Sequence, residues 1–112
     1  MSNQLTVLWT TADPVTVEKM VFMYTMNAKL HGWFDEVTLV VWGASARLLA
    51  ESPQLQERIR EMVAAGVKVE ACKACSDQLG VTPALEACSV EVNYWGEPLT
   101  KVLKNGEALL TV

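Results

Sequence analysis

The sequence predicts a single α/β domain of 112 residues, folded as a three-layer α/β/α sandwich around a five-stranded, mostly parallel sheet. Two observations lead to this prediction. Short runs of apolar and β-branched residues alternate with helical patterns along the whole chain, which is the order of repeated strand–helix–strand units. Two of the runs, residues 5–10 and 36–42, are apolar at nearly every position, and this is typical of strands covered on both faces of a parallel sheet.

The first strand, residues 5–10, is followed by a predicted helix with clear start and stop signals. Asp13 can cap its first turn, Pro14 fits that turn, and Gly32 ends it near residue 30. Apolar residues lie on more than one side of this helix: Val17, Met20, Val21, Phe22, Met23, Tyr24 and Met26. Such a helix is buried on more than one side, so we expect either a deep position in the core or a second subunit as its outer cover.

The remaining elements repeat the alternation of strand and helix. The predicted strands are residues 36–42, 67–71, 89–93 and 108–112. The predicted helices begin at Ala46, Pro53, Thr82 and Glu97, and a helical turn follows residues 72–75 and ends at Gly80. The proline and glycine positions support these bounds, because proline favours the first turn of a helix and glycine its end.

Composition and charge exclude several classes of function. A net charge of −4 with scattered Lys and Arg argues against a nucleic-acid partner or an anionic membrane surface. Residues 1–11 lack the basic start of a signal peptide, and no apolar run approaches the length of a membrane span. The three cysteines are an odd number, which does not suit a disulfide framework and predicts a reducing, cytoplasmic location.

Residues that follow the strands predict a pocket. The carboxyl ends of parallel strands share one edge of the sheet, which is where ligands bind. The candidate pocket residues are Trp9, Thr10, Trp42, Gly43, Ser45, Lys73, Asn93 and Tyr94. Aromatic, small and polar side chains of this kind can line a small-molecule site, although a tryptophan at a strand end, Trp9 above all, can equally fill the core.

The C-x-x-C pair, Cys72 and Cys75, lies at the end of the third predicted strand and is the candidate catalytic site. Lys73 and the start of the following helix would favour thiolate over thiol. The pair can carry sulfur as a persulfide, cycle between dithiol and disulfide, or, with Cys88 and His31, bind zinc. Buried structural cysteines are the fourth alternative, and Cys88 suits it best. Because phosphate-binding and metal-binding motifs are missing, we expect neither a cofactor nor a metal.

Three segments resemble the DsrE-like proteins, a family of small α/β/α proteins. They are GWFDEVTLVVWGASARLLAE (residues 32–51), GVKVEACKACSDQLGV (66–81) and EVNYWGEPLTKVLKNG (91–106). The resemblance implies a five-stranded parallel sheet and a homo-oligomer, such as a dimer or trimer, or a hetero-oligomer with related subunits. In the sulfur-relay members, a cysteine after the third strand carries persulfide sulfur between partner proteins, and Cys72 is similar to that carrier. Cys75 matches the second cysteine of members that have a pair.

The sequence therefore predicts a DsrE-like sulfur carrier or sulfur-relay component. Cys72 would bear the persulfide, and Cys75 would resolve or assist it. Its partners would be sulfur donor and acceptor proteins, and no autonomous catalytic machinery is evident. The alternative is a non-catalytic module that binds a small ligand or a protein, with a thiol redox switch as a further possibility.

Overall fold

The predicted sheet is confirmed by the structure, a computed structural model that describes residues 3–112. Met1 and Ser2, the start of the segment considered as a signal peptide, lie outside the described residues. The strands are β1 Gln4–Trp9, β2 Glu36–Val41, β3 Lys68–Cys72, β4 Glu91–Asn93 and β5 Ala108–Thr111. They lie in the order β4-β3-β2-β1-β5, and each neighbouring pair is parallel.

Helices connect the consecutive strands on both faces of the sheet. Their bounds are α1 Pro14–Thr16, a π-helical segment Val17–Phe22, α2 Met23–Leu30, α3 Ala44–Glu51, α4 Pro53–Ala64, α5 Lys73–Leu79, α6 Thr82–Ala87 and α7 Gly96–Lys104. Because β1 to β4 follow one another across the sheet, right-handed crossovers place α1 to α6 on one face. The return from β4 to β5 places α7 on the other face.

Two hydrophobic clusters of unequal size occupy the two faces. Val7, Leu39 and Ala71 belong to the large core under α1 to α6. The neighbouring positions Val40 and Cys72 belong to a small cluster that includes Trp95 at the start of α7 and Leu99 within it. Successive side chains of a strand point to opposite faces, so this alternation follows directly from the sequence register.

The first helical segment begins at the predicted cap and contains an unpredicted π turn. The carboxylate of Asp13 accepts hydrogen bonds from Thr16 N at 3.4 Å and from Thr16 Oγ1 at 2.6 Å. Residues Val17–Phe22 are π-helical, and α2 then continues to Leu30, close to the predicted end. The segment is buried on one side, where Val17, Val21 and Phe22 are inaccessible, whereas Met23 keeps 49% of its surface exposed.

The fourth strand is shorter than predicted, because the turn after α6 uses its first residues. Ser89 has a φ of +73° and its N–H donates to Glu86 O at 3.2 Å. Val90 N donates to Leu85 O at 3.1 Å. These two residues thus close α6 instead of pairing with β3, and β4 begins at Glu91.

Candidate functional site

A pocket of about 550 Å³ opens where β2 and β3 end side by side. Its floor comes from the turn after β2, and its walls come from α3 and α5. The lining residues are Ala12, Trp42, Gly43, Ala44, Arg47, Leu48, Glu51, Cys75, Gln78 and Leu79. The volume lies within the range of about 300–1,000 Å³ that is usual for small-molecule sites. Trp42, Gly43 and Cys75 of the sequence-predicted site are therefore brought together at this pocket.

Cys75 lines the pocket, and its sulfur is held by the turn after β2. The N–H of Gly43 donates a hydrogen bond to Cys75 Sγ at 3.2 Å, and the same sulfur lies 3.9 Å from the Gly43 carbonyl oxygen. The residue is half-buried, whereas Cys72 and Cys88 are buried. A backbone N–H directed at a sulfur is favourable when that sulfur carries negative charge, because hydrogen bonds to ions are stronger than those between neutral groups.

Cys72 occupies a different environment from Cys75. It is the last residue of β3 and is 4% exposed. Its side chain packs with Val40 and Trp95 in the small cluster on the α7 face, and Cys75 borders that cluster from the pocket side. The two thiols are thus neighbours of one apolar cluster, with Cys75 on the accessible side.

Lys73 is engaged with residues outside the pocket. Its ammonium forms an ion pair of 2.7 Å with Asp77 and lies 5.9 Å from the ring centroid of Tyr94. The hydrogen bond to Asp77 raises the pKa of Lys73, and the same bond, aided by the Thr82 hydroxyl, lowers the pKa of Asp77. The cation in the pocket lining is Arg47, on α3.

Three of the predicted pocket residues have structural roles beside the pocket. Trp9 is inaccessible and packs edge-to-face on Phe22, with centroids 5.0 Å apart, so it fills the core. Thr10 binds the carbonyl oxygen of Val112 through N at 2.7 Å and through Oγ1 at 3.0 Å. Ser45 is also inaccessible, and its hydroxyl donates to Trp9 O at 2.6 Å, which ties α3 to the end of β1.

Asn93 and Tyr94 lie at the end of β4, beyond the pocket lining. Asn93 Nδ2 and Trp95 Nε1 both donate to Glu70 Oε1, at 3.3 and 3.0 Å respectively. Tyr94 is 67% exposed. These contacts hold Trp95 over Cys72, so this loop shields one thiol of the pair.

The pocket residues that the sequence analysis missed repeat at helical spacing. Arg47 and Glu51 follow Gly43 at intervals of one turn along α3, and Gln78 and Leu79 follow Cys75 by one turn along α5. Residues three and four apart share a face of a helix, so their spacing from Gly43 and Cys75 is the sequence pattern that could have identified these lining residues.

His31 and Cys88, which would complete a zinc site with Cys72 and Cys75 in that alternative, do not join them in a metal-binding group within residues 3–112. His31 follows α2 and stacks on Trp33 with centroids 5.2 Å apart. Cys88 is inaccessible, its thiol donates to Leu85 O at 3.3 Å, and burial raises its pKa. Within residues 3–112, no group of three His, Cys, Asp or Glu side chains is arranged to hold a metal ion.

Sequence comparison identifies the group of proteins to which this pocket and sheet belong. The profile of the DsrE/DsrF-like family matches residues 10–112, nearly the whole chain. The chain belongs to the DsrE/DsrF-like family. The resemblance seen in the sequence is thereby confirmed, and a search of curated proteins gives no match that would add a more specific activity.

Solved structures share the fold of this DsrE-like chain. A conserved protein of unknown function from Bacteroides thetaiotaomicron, BT1422, has a TM-score of 0.95 and 41% identity, covering 98% of this chain and 95% of its own. MTH1491 from Methanobacterium thermoautotrophicum, also of unknown function, has a TM-score of 0.72 at 16% identity, over 97% and 98% of the two chains. The ychN protein of E. coli has a TM-score of 0.68 at 16% identity, with both chains fully covered.

Within residues 3–112, no helix of this DsrE-like chain combines the length and the apolar character needed to cross a bilayer.

Proposed function

We propose that this DsrE-like chain is a sulfur-relay component that holds sulfane sulfur as a persulfide on Cys75. The observation that carries the proposal is the hydrogen bond of 3.2 Å from Gly43 N to the sulfur of Cys75, inside a pocket of small-molecule size. Family membership fits a role of this type. The sequence alone favoured Cys72 as the carrier, but its 4% exposure leads us to assign the loading step to Cys75.

The proposed loading step is an exchange of sulfur between two thiols. The Cys75 thiolate attacks the outer sulfur of a donor persulfide, a new S–S bond forms, and the donor leaves as a thiolate that takes up a proton. No net oxidation occurs, because the donor supplies the sulfur at its existing oxidation level. The thiol of an acceptor protein then attacks the same outer sulfur and regenerates Cys75.

Cys72 is proposed as the second thiol of the pair. It belongs to the small cluster that Cys75 borders, and it packs against Trp95 there. Attack of Cys72 on Cys75 Sγ would release the outer sulfur as hydrogen sulfide and leave a disulfide, which a cellular thiol would reduce. The chain would thus work in a reducing cytoplasm, with donor and acceptor proteins as partners.

The test is the intact mass of the protein after reduced chain is exposed to inorganic polysulfide. The variants are C75S and C72S, with C88S as the matched control, since Cys88 is buried away from the pocket. We expect wild type, C72S and C88S to gain one sulfur atom, and C75S to gain none.

Other results of this mass measurement would support a different assignment of the cysteines or a different function. A gain that requires Cys72 but not Cys75 would return the carrier role to Cys72. A loss of two hydrogens in wild type, together with no gain of sulfur in C72S, would indicate a redox switch, whereas the same loss with a gain of sulfur in C72S would be the proposed attack of Cys72 on the loaded Cys75. The absence of any change in wild type would overturn the carrier proposal and favour a binding module with structural cysteines.

A further inference from the structure

Two opposite charges in the pocket remain available for a ligand. Arg47 and Glu51 both line it, both are exposed, and they lie one turn apart on α3. The ion pairs formed within residues 3–112 join other residues, even where the spacing is the same: Glu57–Arg60, Lys73–Asp77 and Glu97–Lys101. The two α3 charges therefore face the pocket without neutralising each other.

The rest of the lining supplies an apolar wall and a thiol. Trp42, Leu48 and Leu79 form much of the wall, and Cys75 presents its sulfur between α3 and α5. A ligand of this pocket thus meets a cation, an anion, an apolar surface and a nucleophilic atom.

We infer that the pocket binds the persulfide of a small thiol that carries an α-amino acid group, and this inference rests on the proposed function of Cys75. The ligand's carboxylate pairs with Arg47 and its ammonium with Glu51, while its outer sulfur is presented to Cys75. Side chains four residues apart on a helix have Cβ atoms about 5–6 Å apart, a separation that suits two charges held on one carbon atom. The guanidinium of Arg47 can bind a carboxylate through two parallel hydrogen bonds.

The charge pattern also favours a zwitterionic donor over donors of a single charge. A donor that carries only negative charge is attracted by Arg47 but repelled by Glu51. A donor that carries only an ammonium is attracted by Glu51 but repelled by Arg47. A zwitterionic group alone satisfies both side chains.

In the transfer, the Cys75 thiolate attacks the outer sulfur of the amino acid persulfide. The Cys75 S–S bond forms, the S–S bond of the donor breaks, and the amino acid thiol leaves with one proton. The atoms and electrons balance without an oxidant or reductant.

The experiment measures second-order rates of sulfur loading on Cys75 by intact mass. The donors are the persulfides of cysteine, of mercaptopropionate, which lacks the ammonium, and of cysteamine, which lacks the carboxylate. Inorganic polysulfide serves as the donor without either group. The variants are R47Q and E51Q, with R60Q as a control, because Arg60 is an exposed arginine in a surface ion pair on α4.

We expect R47Q to slow loading from the cysteine and mercaptopropionate persulfides by about three- to tenfold, because both donors lose the partner of their carboxylate. Cysteamine persulfide, whose ammonium Arg47 repels, should not be slowed, and polysulfide should be slowed less than cysteine persulfide. E51Q should slow loading from the cysteine and cysteamine persulfides by a similar factor. R60Q should change no rate. If both pocket variants load from cysteine persulfide at the wild-type rate, the inference is overturned while the persulfide function stands. If wild type takes up sulfur from none of the four donors, the proposed function fails and this inference fails with it.

Discussion

The N–H of Gly43 donates a hydrogen bond to the sulfur of Cys75 across 32 residues of sequence. This bond joins the turn after β2 to the first turns of α5, so the position of the thiol depends on the conformation of a neighbouring loop. Gly43 has a φ of +82° and a ψ of −138°, a combination that glycine adopts readily and other residues seldom do. The placement of the Cys75 sulfur thus rests on a residue with no side chain.

The variant G43A is expected to destabilise the chain by about 1–3 kcal/mol, because alanine is strained in this conformation. An added Cβ would meet no atom within 4 Å, so the cost arises in the backbone and not from a clash. Chemical denaturation measures the loss, and persulfide loading should be slower because the N–H is displaced from Cys75. The control is G96A, at a glycine without positive φ and with the same open space. A G43A protein as stable as wild type would contradict the expectation.

The variant S45A is expected to lower the free energy of unfolding by about 1 kcal/mol, the usual net contribution of one hydrogen bond. The substitution removes the bond of 2.6 Å from the Ser45 hydroxyl to Trp9 O and the longer contacts of the same oxygen with Trp42 N and Trp42 O, at 3.1 and 3.2 Å. The effect stays small because Trp42 N also donates to Trp9 O, at 3.1 Å. Urea denaturation of S45A and of T100A provides the comparison, since Thr100 makes an exposed bond within α7. If S45A and T100A lowered the free energy of unfolding equally, the burial of Ser45 would add nothing to the stability that its hydrogen bond provides.

Alkylation should distinguish the three thiols in the folded chain. We expect iodoacetamide to modify Cys75 first, Cys72 at least about tenfold more slowly because it is 4% exposed, and Cys88 last. Cys88 is inaccessible, and burial raises its pKa, so less of it is thiolate at neutral pH. Peptide mapping after brief labelling measures the order, and labelling in denaturant should remove most of the difference. Faster labelling of Cys72 than of Cys75 in the native chain would contradict the assigned roles.

Acid should weaken the contact between α5 and α6. The hydrogen bond from Lys73, followed by that from Thr82, lowers the pKa of Asp77 below its ordinary value of 3.8. The folded state therefore binds this proton less tightly than the unfolded state, and the contribution of Asp77 to stability is complete above pH 3.8. It is lost as the pH falls from 3.8 through the lower pKa of the folded state.

Unfolding midpoints between pH 2 and pH 6, about two units on either side of an ordinary Asp pKa, measure this effect for wild type and D77N. We expect D77N to be less stable than wild type near the upper pH limit of this range, and the difference in stability between the two proteins to shrink near the lower limit. In K73M, most of the pH-dependent contribution of Asp77 to stability should be lost, since Lys73 donates the main hydrogen bond to Asp77. A difference between wild type and D77N that does not change with pH would refute the assignment.

Association of the chain, which the sequence predicted, is best tested on the outer face of α2. Met23 and Trp33 are 49% and 52% exposed there and border a shallow apolar groove. We expect light scattering to show an oligomer of wild type, and M23K to weaken self-association by about tenfold or more, because an unpaired charge is costly to bury. L103K, which changes an exposed leucine on α7, is the control. A monomeric wild type, or equal effects of the two variants, would contradict this prediction.

Much of the fold was predictable because single residues indicate where its helices begin and end. Asp13 caps the first helix and Gly80 ends α5 in the left-handed conformation, as their residue types indicate. The π turn of Val17–Phe22 was not predictable, because its residues suit an uninterrupted α-helix equally well. The late start of β4 depends on Ser89 with a positive φ, a conformation that serine seldom adopts.

The position of the pocket could be predicted from the sequence, but the full set of residues that line it could not. The rule that ligands bind at the carboxyl edge of a parallel sheet located Trp42, Gly43 and Cys75. It could not separate Trp9, which continues into the core, from Trp42, which lines the pocket, because both end a strand. The burial of Cys72 follows from strand alternation, but its cover, Trp95, comes from a loop whose path only the folded chain shows.

The π-helical segment Val17–Phe22 sets the rotational phase of α2. A π turn holds about one residue more than an α turn, so every later side chain of α2 is rotated by about 100° relative to an unbroken α-helix. The exposure of Met23 on the outer side therefore depends on the extra residue that this turn holds. The loss of one residue between positions 17 and 22 would convert the π turn into an α turn and leave the same stripe of α2 facing the solvent. The π turn is thus a place where the chain takes up one more residue without changing which side of α2 packs on the sheet.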